Sequence, residues 1–267
     1  MLKPLAMALS VLMLLPTAVQ AELIKNNIDY VHNGDKLQGY LVYDTDHVKG
    51  AKKAPGALVY HAWMGIGEHE RQWADDLARA GYVVFAPDIY GKGVRPSTPK
   101  AAGQESKKYK ENPELMRGRA LAGLKQLQQQ PWVNPDQIGA LGFCFGGGVA
   151  LELARSGAPV NATISLHGDL KTQNPDDAKR ITGSVLALHG AADPYVPMKE
   201  VVAFQQEMEG ANVNWQMQLY GGAVHAFTDP GAGNNPSTGA AYNAVAARRA
   251  WNDTLRFLLK NVSPVDA

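Results

Sequence analysis

Cys144 is the chain's single cysteine, and it stands in Gly142-Phe143-Cys144-Phe145-Gly146-Gly147-Gly148. The apolar run Ile138 to Leu141 precedes it, and a helical segment, Val149 to Arg155, follows. A nucleophile on a sharp strand-to-helix turn needs small residues two before and two after it, because the chain folds back on itself there. The N–H groups opening the helix point at the sulfur and favour thiolate. A glycine-rich turn around a structural cysteine is the plainer alternative, and the strand before and helix after it favour the nucleophile. A thiol nucleophile needs a base and a group that orients the base. On this kind of turn the chain order is nucleophile, acid, base. Asp193 in His189-Gly190-Ala191-Ala192-Asp193-Pro194 and His225 in Gly221-Gly222-Ala223-Val224-His225-Ala226-Phe227 satisfy that order, each just past an apolar run. The chemistry this predicts is acyl transfer through sulfur, with His225 as base and Asp193 as its orienter.

The remaining histidines fit less well. His189 precedes Asp193, and His167 comes too soon after the nucleophile to be its base. His61 and His69 flank the loop after the first central strand and are candidates for the pocket wall. A zinc site needs three converging ligands, and the sequence holds no H-E-x-x-H pair. No metal and no cofactor are expected.

These residues need a scaffold that brings three distant loops to one edge. Two alternating segments, Leu23 to Val31 and Leu37 to Tyr43, flank Asn33-Gly34-Asp35 and predict an antiparallel hairpin. Short apolar runs then alternate with helical patterns. The strands are expected at 57–60, 82–86, 138–143, 162–166, 185–188 and 215–220. The helices are expected at 70–80, 115–129, 149–155, 198–209 and 240–259. This alternation predicts an α/β fold, a mostly parallel central sheet with helices on both faces and an N-terminal antiparallel hairpin. The segment 91–113 carries six lysines or arginines without apolar periodicity. It reads as a surface excursion near the top of the sheet.

Residues 1–21 read as a signal peptide, with Lys3, an apolar stretch from Leu5 to Leu15, and a small-residue site ending at Ala21. Eleven residues at about 1.5 Å each cannot cross a hydrocarbon core of roughly 30 Å, so no membrane anchor is expected after cleavage. Residues 22–267 form a single domain, and the expected location is exported, periplasmic or secreted. The 267 residues hold 26 basic and 25 acidic side chains, a net charge of +1. That balance offers no basic field for nucleic acid. One cysteine excludes an intrachain disulfide framework.

With these residues assembled, the sequence resembles the dienelactone hydrolase family of the α/β-hydrolase fold, over essentially the whole mature chain. The resemblance rests on Leu58-Val59-Tyr60-His61 with the glycine loop after it, Phe85-Ala86-Pro87-Asp88-Ile89-Tyr90-Gly91, Gly142-Phe143-Cys144-Phe145-Gly146-Gly147, His189-Gly190-Ala191-Ala192-Asp193 and His225-Ala226-Phe227. It implies a Cys144–His225–Asp193 triad that cleaves a small ester or lactone through an acyl-thioester. It also implies an oxyanion hole from the backbone N–H groups of Phe145 and Trp63. Two positions depart from the family pattern. Ala62 stands where relatives carry a glutamate paired with the thiol, and Asp229 where they carry an arginine for a substrate carboxylate. Glu68 and Glu70 are candidates to replace that glutamate. Lys107, Lys108 and Arg117 are candidates to bring positive charge over the pocket. Other classes on the same scaffold are a non-catalytic binding protein, a thiol redox protein that lacks a resolving cysteine, and an acyltransferase or peptidase.

Overall fold

The computed structural model describes residues 22–49 and 53–263; the leader read at 1–21 lies outside them. The chain order is β1 (Leu23–His32), β2 (Asp35–Asp44), β3 (Ala54–Tyr60), α1 (Glu68–Arg79), β4 (Val83–Ala86), α2 (Pro99–Lys110), α3 (Pro113–Gln128), β5 (Val133–Phe143), α4 (Phe145–Arg155), β6 (Ala162–Leu166), β7 (Ser184–Gly190), α5 (Met198–Gly210), β8 (Trp215–Tyr220) and α6 (Ala244–Asn261). The sheet runs β1-β2-β4-β3-β5-β6-β7-β8. β2 pairs antiparallel with both β1 and β4, and the strands from β4 to β8 are parallel neighbours. The expected α/β-hydrolase architecture is present. Asn33 and Gly34, both at positive φ, close the first hairpin as an Asn-Gly turn favours.

Alternation along the strands builds two cores, because successive side chains leave opposite faces. Leu58 and Tyr60 of β3 join Ala120 and Leu124 of α3 and Val149 and Leu153 of α4 on one face. Ala57 and Val59 join Trp73 and Leu77 of α1 and Phe257 and Leu258 of α6 on the other. α5 extends the first face, packing Phe204 and Met208 on Val185 and Ala187 of β7. Each parallel strand therefore ends at one edge, where loops can carry chemistry.

One element differs from expectation. Within 91–113 lies the helix α2, whose mixed charge hides its period. Its start is nonetheless signalled by Thr98-Pro99: the Thr98 side chain accepts from the Ala101 N–H at 3.2 Å, and Pro at the first helical position needs no donor partner. Between β6 and β7, where no helix was expected, lies a short 3-10 segment, Pro175–Arg180. That crossover is fixed by charge. Arg155 is fully buried and grips Glu207 of α5 at 2.8 Å through both Nε and Nη2, and Glu152 at 3.0 Å. Arg117 ties Glu152 at 2.8 Å to Asp177 at 2.6 Å.

Candidate active site

Cys144 sits between β5 and α4 with φ 53° and ψ −115°, a strained conformation for a residue with a side chain. The turn holds it there by close approach. A Cβ on Gly142 would lie 2.1 Å from the Gly146 carbonyl oxygen, and one on Gly146 would lie 2.2 Å from the Tyr60 and 2.6 Å from the His61 carbonyl oxygens. One on Gly147 would lie 2.6 Å from Ser165 Oγ. The Cys144 N–H donates to the Leu166 carbonyl at 3.1 Å, and the Cys144 carbonyl accepts from Gly147 at 3.1 Å and Asp169 at 3.2 Å. The glycines thus let α4 press on the ends of β3 and β6, and Cys144, half-buried, borders the cavity.

Asp193 follows β7 and His225 follows β8, and the two meet. His225 Nδ1 donates to Asp193 Oδ2 at 2.8 Å. Asp193 Oδ1 accepts from the Tyr195 and Val196 N–H groups at 2.8 and 3.2 Å, so the carboxylate shapes its own loop while it orients the imidazole. The His225 backbone is pinned from both sides, donating to Gly239 at 3.1 Å and accepting from Ala241 at 3.0 Å. Burial pushes the His225 pKa down, but the Asp193 bond and the neighbouring Cys144 outweigh it and raise it above the ordinary 6.5. Burial pushes the thiol up, but contact with His225, helped by the charge of Lys110 and the Phe145 N–H, brings it below its ordinary 9.0. Both directions favour a thiolate–imidazolium pair.

Cys144 and His225 border a cavity of about 600 Å³, while Asp193 is buried behind the imidazole. Phe145, Trp63, Ala62 and Asp229 border it as well. His61 does not. It is fully buried behind the wall, its Nδ1 donating to the Ala62 carbonyl at 2.7 Å and its Nε2 accepting from the Ile89 N–H at 3.2 Å. Every polar atom of its ring is taken by backbone, which removes it from the pocket. Glu70 does not reach for the thiol either. It is buried, with one carboxylate oxygen on the Ala62 N–H at 3.0 Å and the other on the Gly67 N–H at 2.8 Å.

Lys107 pairs with Glu111, Lys108 with Glu105, and Arg117 lies in the buried network, so none of the three is turned to the cavity. The excursion does supply a cation, but it is Lys110, at the end of α2, paired with Asp169 at 2.9 Å. Lys171, paired with Glu200 at 3.1 Å, stands on the same rim. Asp229 uses Oδ1 to cap the next turn, accepting from the Gly231 N–H at 2.7 Å. Beside His225 runs a chain that no spacing or motif links: His167 Nε2 and His69 Nε2 both bond Thr228 Oγ1, at 2.7 and 3.2 Å. Burial lowers the pKa of both histidines, and they form neutral wall.

The model of the dienelactone hydrolase family matches residues 37–262. This chain belongs to the dienelactone hydrolase family. A Bradyrhizobium sp. protein named "Probable 2-oxo-3-(5-oxofuran-2-ylidene)propanoate lactonase" is 29% identical over 86% of this chain and 92% of its own. A crystal structure of a dienelactone hydrolase-like promiscuous phosphotriesterase from metagenomic libraries is 34% identical. It superposes with a TM-score of 0.84, over 90% of this chain and 98% of that one. A structure titled "m3DLH" is also 34% identical, with a TM-score of 0.85 over 90% and 99%. As a member of the dienelactone hydrolase family, the chain is a hydrolase of carboxylic esters or lactones.

Proposed function

We propose that this dienelactone hydrolase-family protein is exported and cleaves neutral esters or lactones through an acyl-thioester on Cys144. The observation that carries the mechanism is the 2.8 Å bond from His225 Nδ1 to Asp193, which leaves Nε2 for the sulfur on the strained turn. The thiolate attacks the substrate carbonyl, and the tetrahedral oxyanion accepts hydrogen bonds from the Phe145 and Trp63 N–H groups. The His225 imidazolium gives its proton to the departing alkoxide, which leaves as alcohol or, from a lactone, as the ring-opened hydroxyl. A water then loses its proton to His225 and adds to the thioester. Collapse of that intermediate releases the carboxylic acid and restores thiolate and imidazolium. Asp193 keeps the imidazole in the tautomer both steps need.

Charge on the rim supports a neutral substrate. Lys110 and Lys171 each face a carboxylate already, and Asp229 adds a further negative charge. The similar phosphotriesterase suggests neutral phosphotriesters as a second panel. The test is a panel of neutral and anionic esters and lactones with wild type and Cys144→Ala, circular dichroism verifying the fold. Loss of all turnover in the variant is expected, and wild-type turnover would sink the mechanism. Export rests on residues 1–21; intact mass of protein recovered from a bacterial periplasm should start within a few residues of Glu22, and a species retaining Met1 to Leu15 would contradict it.

A further inference from the structure

We infer that His61 is a positioning residue that fixes the Ala62–Trp63 peptide as an oxyanion donor, with Glu70 and Tyr90 holding the peptides on either side. The inference rests on the oxyanion role proposed above for the Trp63 N–H. The ring's tautomer follows from its partners. The Ile89 N–H donates to Nε2 at 3.2 Å, so Nε2 bears the lone pair. Nδ1 therefore carries the proton and donates it to the Ala62 carbonyl at 2.7 Å.

That carbonyl belongs to the same peptide unit as the Trp63 N–H. In a trans peptide the C=O and N–H point in opposite directions, and the described residues contain no cis peptide. By drawing the Ala62 oxygen toward the core, His61 turns the Trp63 N–H away from it, toward the cavity that Trp63 borders. The Gly65 N–H donates to the same oxygen at 3.1 Å. The peptide before is held by Glu70 on the Ala62 N–H at 3.0 Å, and the peptide after by Tyr90 Oη donating to the Trp63 carbonyl at 3.0 Å.

The other donor is registered to this one. Gly146 lies against the Tyr60 and His61 carbonyls, so the start of α4, with Phe145, is packed on the residue that orients Trp63. His61 and Tyr90 are also edge-to-face at 4.8 Å, and Tyr90 lies 5.4 Å from the Phe145 ring. A histidine that looks like a pocket group in the sequence thus acts one peptide away from the substrate.

The experiment compares two reactions of the same sulfur. Ester acylation builds an oxyanion, whereas alkylation by iodoacetamide displaces iodide and builds none. His61→Ala should lower kcat for a nitrophenyl ester by about tenfold to a hundredfold, the scale of a displaced oxyanion donor. Its KM and the alkylation rate of Cys144 should stay within about twofold of wild type. His61→Asn, whose amide nitrogen can replace Nδ1 as donor to Ala62, should recover part of the loss. Tyr90→Phe removes a single hydroxyl and carries the same comparison if His61→Ala does not fold; it should lower kcat severalfold and leave alkylation unchanged. Wild-type kcat in a folded His61→Ala, or a fall of esterolysis and alkylation together in either variant, would overturn the role. Turnover surviving in Cys144→Ala would instead remove the reading beneath it, so the two failures are distinct.

Discussion

Adding one methyl group at Gly146 should disable the site, and adding one at Gly148, two residues along the same helix, should not. A Cβ at Gly146 would stand 2.2 Å from the Tyr60 oxygen and 2.6 Å from the His61 oxygen, both backbone atoms of a buried strand end. Ordinary contact begins near 3.4 Å, so β3 and the start of α4 must separate by about 1 Å, with no side chain able to give way. A misplacement of that size costs roughly a hundredfold in rate, and overpacking a core costs about 1–3 kcal/mol. A Cβ at Gly148 would meet Asp169 only at 3.4 Å, and replacing a helical glycine by alanine gains roughly 0.5–1 kcal/mol. The assay is kcat/KM on a neutral nitrophenyl ester beside thermal unfolding. Gly146→Ala should fall about a hundredfold with a lowered midpoint, and Gly148→Ala should keep its rate with a midpoint raised by about 1–4 °C. Wild-type activity in Gly146→Ala, or equal damage in both, would refute the argument that contact between β3 and α4 sets the site.

Three further outcomes are expected. Because the thiol is brought below 9.0 and the imidazole raised to about 10, sulfur is negative and His225 positive between their two titrations. Cys144 should therefore react readily with iodoacetamide at pH 6.5, and His225→Ala should slow it by about tenfold at that pH. An alkylation curve that rises only near the ordinary thiol value and ignores His225 would show that no resting ion pair exists. Asp229→Asn should raise kcat/KM for an anionic ester about threefold to tenfold and leave its neutral counterpart unchanged, since for an assumed separation of about 8 Å and an effective dielectric near 20 two like charges repel by roughly 2 kcal/mol before solvent screening; equal effects on both esters would count against the charge argument. Glu207→Gln leaves half of the buried Arg155 clasp unpaired and should cost about 3 kcal/mol of stability, read from urea unfolding; an unchanged midpoint would mean that the crossover does not depend on it.

The parallel sheet was legible because each buried strand is an apolar run bounded by glycine or proline, and because Asn33-Gly34 closes a hairpin by backbone preference. The proposed triad was legible because glycine spacing and chain order constrain it. Three features were not. α2 lacks apolar periodicity because only Ala102, Ser106 and Tyr109 are buried along it, so its cap, not its pattern, was the usable signal. Lys110 was hidden among six basic residues of that segment, since only the end of a helix decides which one reaches the rim. His61 and Glu70 look by residue type like pocket or thiol groups. What assigns them to backbone is the geometry of one peptide loop, which leaves no trace in residue type.

The proposed mechanism requires that Cys144 become acylated during turnover. Wild-type protein mixed with a slowly hydrolysed ester and quenched in acid should gain the mass of one acyl group, and peptide mapping should place it on Cys144. Asp193→Asn should form that species more slowly, and Cys144→Ala should not form it at all. Turnover without any acylated cysteine, or an acyl group on another side chain, would contradict the account.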